Sequence, residues 1–174
     1  MSKKIIKVVA VLFVVCLGFS LAACIKGRDI DRKNDEKIEV IEANDFENIM
    51  EDLDYTVEEG DLEKGVDTYL KAYDEDLKYF VAFSEFESEA NVMNGFNKIV
   101  HDYKDAEEDN YFEGSIKETE DGNFEKAVIK GNYEDTERYV VMVRADNMII
   151  IATVFSTDED DIKKIDKIIK KLGY

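Results

Sequence analysis

The residue pattern predicts an α+β domain: a single antiparallel β-sheet of five to six strands with amphipathic helices packed on it. Three observations carry that expectation. Apolar residues recur at helical spacing in three stretches, and they alternate or run continuously in the segments between. The strand-like segments are joined by short loops, which only antiparallel neighbours can use. The chain closes on a segment with acids at its start and lysines through the rest, the order a helix dipole favours.

Each element follows from local chemistry, in the order α-β-β-α-β-β-β-β-α. Asn44 has the character of a helix N-cap, with Glu47 three residues on in capping-box position. Phe46, Ile49, Met50 and Leu53 then share one helical face. Residues 68–73 and 77–86 are rich in aromatic and β-branched types and read as two strands joined at Asp74-Glu75-Asp76. In the second, Tyr79, Val81 and Phe83 fall on one face and Phe80 and Ala82 on the other, so an interior strand is expected. Ser88 can cap a second helix, in which Val92, Met93, Phe96, Ile99, Val100 and Tyr103 keep helical spacing to about Ala106. The acidic stretch Glu107-Glu108-Asp109-Asn110 ends it.

The second half reads as a meander. Residues 111–119 and 124–133 flank a turn at Asp121-Gly122-Asn123, and residues 138–145 and 148–155 flank Asp146-Asn147. Ile149, Ile150, Ile151, Val154 and Phe155 make the last strand nearly continuous apolar sequence, as an interior strand requires. Thr157 or Asp158 caps the final helix. Ile162, Ile165, Ile168, Ile169 and Leu172 form its buried stripe, and Gly173 sits at its C-terminal stop.

The first 23 residues are organised differently. Lys3, Lys4 and Lys7 are followed by residues 8–25 without a charge, with small residues at Gly18, Ser20, Ala22 and Ala23. A basic start, an apolar run and a small-residue cleavage site make a secretory signal, with everything beyond it placed outside the membrane. Residues 24–43 are mostly charged and aperiodic, and are expected to be a flexible tether; a single domain is expected over residues 44–174. An uncut membrane anchor, or a free Cys24 after ordinary cleavage, are the competing readings of the same stretch.

The chain carries 23 basic and 41 acidic residues. Loss of Lys3, Lys4 and Lys7 with the signal takes the formal charge from −18 to −21. That balance argues against nucleic acid and against lying flat on anionic lipid. It suits a basic protein at the cell surface as partner, or divalent cations, or simply a well-solvated surface. Cys16 leaves with the signal, so no thiol beyond Cys24 remains for a disulfide, a zinc site or a nucleophile.

Chemistry is sparse elsewhere. The one histidine, His101, stands late in a helix without a second ligand beside it. Ser84, Ser88, Ser115 and Ser156 lack a nucleophile-elbow context, and phosphate-loop and dinucleotide motifs are missing. The clusters 158–161 and 107–109 are explained by helix ends before they are explained by calcium. Tyr69, Tyr73, Tyr79, Phe80, Phe83, Phe86, Tyr111, Phe112, Tyr133 and Tyr139 are expected mainly in the core rather than on a ligand platform. No catalytic, cofactor or metal residue is therefore assigned.

Leu21-Ala22-Ala23-Cys24 resembles the lipobox of bacterial lipoproteins. The resemblance implies acylation of the Cys24 sulfur, cleavage before it, and attachment to the outer face of the cell membrane. With Tyr79-Phe80-Val81-Ala82-Phe83, Arg144-Ala145-Asp146-Asn147-Met148-Ile149 and Lys170-Lys171-Leu172-Gly173-Tyr174, the chain is similar to small lipoproteins of Gram-positive Firmicutes such as clostridia. That likeness implies location and fold type and brings no activity with it. The expected function is a non-enzymatic binding or interaction module tethered through Cys24. The alternatives are a solute-binding component of an envelope system and a carboxylate-dependent envelope hydrolase.

Overall fold

The computed structural model describes residues 38–174. The signal, Cys24 and most of the expected tether lie outside the described residues. One sheet of seven antiparallel strands carries three helices, so the α+β class is as the pattern predicts, with seven strands in place of five to six. The elements are α1 (Ala43–Asp52), β1 (Thr56–Glu59), β2 (Val66–Tyr73), β3 (Tyr79–Phe86), α2 (Glu89–Glu108), β4 (Phe112–Asp121), β5 (Phe124–Tyr133), β6 (Thr136–Ala145), β7 (Met148–Val154) and α3 (Glu159–Lys171). The added strand is β1, four residues that pair with β2 at the sheet edge.

The strand order is β1-β2-β3-β7-β6-β5-β4. Two meanders meet where β3 pairs with β7, so the chain crosses the sheet once, through α2. β3 and β7 are interior, as their two apolar faces require. At the β4 edge Gly114 lies opposite Gly131, and a Cβ on Gly114 would fall 2.2 Å from the Lys130 carbonyl oxygen. Only glycine permits the two backbones to approach there.

Each sheet face has its own core. Phe46 and Met50 of α1 and Ile165, Ile168 and Ile169 of α3 pack on Val81, Phe83, Val141, Val143 and Ile150. Val92, Phe96 and Val100 of α2 pack on Ala127, Ile129, Val140, Met142 and Ile149 across the sheet. Burying each large apolar side chain contributes about 1.5–3 kcal/mol, and period-2 alternation along β6 and β7 feeds both layers at once.

The helix caps differ in part from expectation. Ser88 caps α2 by accepting the Asn91 amide at 3.3 Å. α1 starts two residues early, with Glu42 at the N-cap, so Asn44 is already helical and no capping box forms. Asp158 caps α3 in position but without a side-chain bond. Gly173 ends α3 at φ +96, the left-handed stop.

Candidate binding rim

The sheet has two ends of different character. At one, the described chain enters. Ile38 donates its amide to Asn123 Oδ1 at 3.0 Å, and Asn123 Nδ2 donates back to the Ile38 carbonyl at 3.1 Å. The Ile41 amide donates to the Tyr174 hydroxyl at 3.0 Å, and the Tyr174 ring stacks on Phe124 with centroids 6.1 Å apart. The chain thus comes in at the β4–β5 turn, beside the C-terminus. We call this the entry end.

The far end lies a strand length away, about 30 Å for a ten-residue strand. It gathers the loops at residues 53–55, 74–78, 109–111, 134–135 and 155–158. Among the described residues, six non-glycine residues have positive φ, and five of them are here: Asp54, Leu77, Asn110, Glu134 and Asp135. Asp54 and Asn110 are the left-handed stops of α1 and α2, and Glu134 and Asp135 make the two-residue β5–β6 turn. Two of the exposed large apolar side chains, Leu77 and Tyr111 (58% exposed), are also at this end.

On the α3 side of the far end the polar groups are closed on one another. Lys78 Nζ lies 2.6 Å from the buried Asp161 carboxylate, and the Tyr79 hydroxyl donates to the same oxygen. Asp74 Oδ1 accepts the Lys78 and Tyr79 amides at 2.7 and 3.0 Å, which fixes the β2–β3 loop. Lys164 Nζ sits 3.8 Å from the Tyr79 ring centroid and 3.9 Å from Asp74 Oδ2. The Lys78 ammonium first, then the Ser156 and Tyr79 hydroxyls, hold the Asp161 carboxyl at about 2, and its hydrogen bond to Asp161 in turn raises Lys78. Burial pushes the Tyr55 and Tyr79 hydroxyls above the usual tyrosine range. A carboxylate held ionised by a lysine and phenols held neutral make a clamp on a loop. They do not supply a general base poised near neutral pH.

The α2 side of the far end is open in a way the other is not. α2 runs mainly over β3, β4, β6 and β7. Tyr69, Lys71 and Tyr73 of β2 and Phe80, Ala82 and Ser84 of β3 stay half-buried on this face, while Leu70, Ala72, Val81 and Phe83 opposite are buried. Beside this uncovered quarter is Arg138 of β6, only 9% exposed. Its guanidinium carbon lies 4.5 Å from the Tyr133 ring centroid and 6.0 Å from that of Phe155. Nη1 donates to the Tyr103 hydroxyl at 3.3 Å, and Nε is buried without a partner. Edge contacts extend the aromatic row from Tyr133 to Tyr103 and Phe112, and from Phe155 to Phe80.

No ion pair joins Arg138 to a carboxylate among the described residues. Arg144, on the same strand and the same face, has Glu125 at 3.1 Å and Glu89 at 3.9 Å. Cation–π contact offsets about 0.5–2 kcal/mol, whereas the desolvation of a buried ion costs several. The two rings therefore do not by themselves balance the burial of Arg138.

The residues singled out from sequence are scattered. Cys24 lies outside the described residues. His101 is exposed and 3.3 Å from Asp105 on its own helix. Tyr79, Phe83, Phe86, Phe112 and Tyr139 are buried as expected, while Tyr69, Tyr73, Phe80 and Tyr133 are half-buried and Tyr111 is exposed, so the aromatics divide between core and surface. Of the 158–161 acids, Asp161 is buried and bound to Lys78. Among the described residues no group of three or more His, Cys, Asp or Glu side chains could hold a metal ion, and no helix is long and apolar enough to cross a membrane. Sequence reading passed over Arg138. The available signal was its phase, two residues before Val140 and four before Met142, which places it on the α2-facing side of an apolar strand.

Comparison with protein-family models, with curated proteins and with solved structures finds no match.

Proposed function

We propose that this protein is a non-enzymatic binding module, held on the outer face of a bacterial membrane through lipid on Cys24, that meets its partner with the far end of its sheet. The observation that carries the reading is the opposition of the two ends. The described chain begins at Ile38 beside Asn123, and the left-handed turns, Leu77, Tyr111 and the uncovered aromatic quarter lie a strand length away. The far end is thus the part of the described domain most distant from the point where the segment leading from Cys24 joins it. The acidic surface favours a basic protein partner and speeds its encounter.

The test has two arms in intact cells. Radiolabelled palmitate should label the wild-type chain, and Cys24→Ala should be unlabelled and released from the membrane. A photo-crosslinking amino acid at Tyr111 should trap one dominant basic protein, while the same group at Leu62, exposed in the β1–β2 loop near the entry end, should not. Label-free maturation of the wild type would remove the anchor. Equal crosslinking from both positions would remove the far end as the interaction surface.

A further inference from the structure

We infer that Arg138 anchors a carboxylate site at the far end, and that the site takes a singly charged carboxylate carried on an aromatic or aliphatic body. The inference rests on the far end being the partner-facing surface and adds the chemistry that surface selects.

Arg138 is nine-tenths buried, and among the described residues no carboxylate of this acid-rich chain is paired with it. Arg144 shows that the same strand face can bring glutamates to a buried arginine, so the missing partner at Arg138 is specific to that place. Nη1 is taken by the Tyr103 hydroxyl, and Nε, like that of Arg144, has no partner, so what distinguishes Arg138 is the missing carboxylate. That leaves the Nε–Nη2 edge, which matches the two oxygens of a carboxylate in parallel. The flanking rings of Tyr133 and Phe155 are half-buried and form the walls beside the guanidinium. Phe80 then continues an aromatic wall onto the uncovered quarter of the sheet for the ligand's body. Glu134 and Asp135 in the adjoining turn repel a dianion such as phosphate about twice as strongly as a single negative charge.

The test uses the full-length ¹⁵N-labelled protein in a neutral detergent. The chain has four arginines, so its arginine Nε–H spectrum is sparse, and loss of one peak in Arg138→Lys assigns Arg138. 3-Phenylpropionate should shift the Arg138 Nε–H resonance saturably at about millimolar concentration and leave that of Arg144 in place. 3-Phenylpropanol and inorganic phosphate should bind at least about tenfold more weakly, and Arg138→Lys should lose about tenfold in affinity. Where Arg138→Lys fails to fold, Tyr133→Ala, which removes one wall of the box, should weaken phenylpropionate instead. A peptide ending in phenylalanine separates the two sources of such a group. Preference for its free over its amidated form supports a protein C-terminus as ligand, and preference for the small acid supports a solute. No saturable shift by about 20 mM, equal shifts from the acid and the alcohol, or unchanged affinity in Arg138→Lys would overturn the site. No partner protein is present in this experiment, so its failure leaves the crosslinking at Tyr111 to decide the interaction reading separately.

Discussion

At the scale of single residues, the polar interior is held by charge pairs of unequal kind. Asp161 is buried, and Lys78 is half-exposed. The Asp161 carboxyl is held at about 2 against an ordinary 3.8. A depressed folded value means that its contribution to stability is complete above the ordinary value and is lost as pH falls through the folded one. Wild type should therefore exceed Asp161→Asn by about 1–2 kcal/mol at pH 6, discounted for the solvated lysine, with the gap closing towards pH 2. Urea denaturation at pH 6 and pH 2.5 measures it, and a gap that does not change with pH would show that the pair is not ionic in effect. This pairing was only half legible in the sequence. The crowding of acids at residues 158–161 is helix-start electrostatics for the exposed Glu159 and Asp160, but Asp161 points a charge inward because a lysine 83 positions away meets it. Arg138 was hidden for the same reason. Its surroundings come from three separate elements, and no local window contains Tyr103, Tyr133 and Phe155 together.

At the scale of elements, the long periodic segments were readable and the short polar one was not. α2, α3, β3, β6 and β7 each bury enough apolar side chain to leave a period in the sequence. β1 is Thr-Val-Glu-Glu, with no buried residue, and exists because β2 offers it a ladder. Tertiary pairing of that kind leaves no mark in composition. The α1 start was misplaced because Ile41 and Val40 are drawn onto the core ahead of the helix, and this pulls the cap back to Glu42 from the better capping residue. The β5–β6 turn shows a local rule broken outright. Glu134 and Asp135 both have positive φ in a two-residue hairpin, a geometry that asparagine and glycine fill at least cost. The double change Glu134→Asn, Asp135→Gly should stabilise the domain by about 1 kcal/mol in urea. Because this turn belongs to the far end, the same variant should lower crosslinking yield from Tyr111. A variant that is no more stable would mean that the left-handed turn is not strained, and unchanged crosslinking would detach the turn from the binding surface.

At the scale of the whole molecule, the deciding quantity is charge. The chain carries a formal −18, and both arginines among the described residues, Arg138 and Arg144, are buried rather than spread over the acidic surface. Acids dominate the exposed faces of β4, the α2 C-terminus and the loops of the far end. Repulsion among these charges opposes the compact state and reaches across about 30 Å at 10 mM ionic strength but only about 8 Å at 150 mM. Raising sodium chloride over that interval should therefore raise the unfolding temperature by several degrees, at about 2–4 °C per kcal/mol for a domain somewhat larger than this and more for a smaller one. Two controls give the result its meaning. Sodium sulfate at matched ionic strength should do at least as well, since screening and exclusion act in the same direction. Calcium chloride at matched ionic strength should do no better than sodium chloride, because the carboxylates on these surfaces are spread along edges and helix ends rather than converged on a point. An unfolding temperature that is flat or falls with sodium chloride would mean that local pairs such as Lys104–Glu118 outweigh the mean field. A selective calcium effect would reveal a convergent carboxylate set, and the partner chemistry proposed for this acidic surface would shift from basic protein to cation.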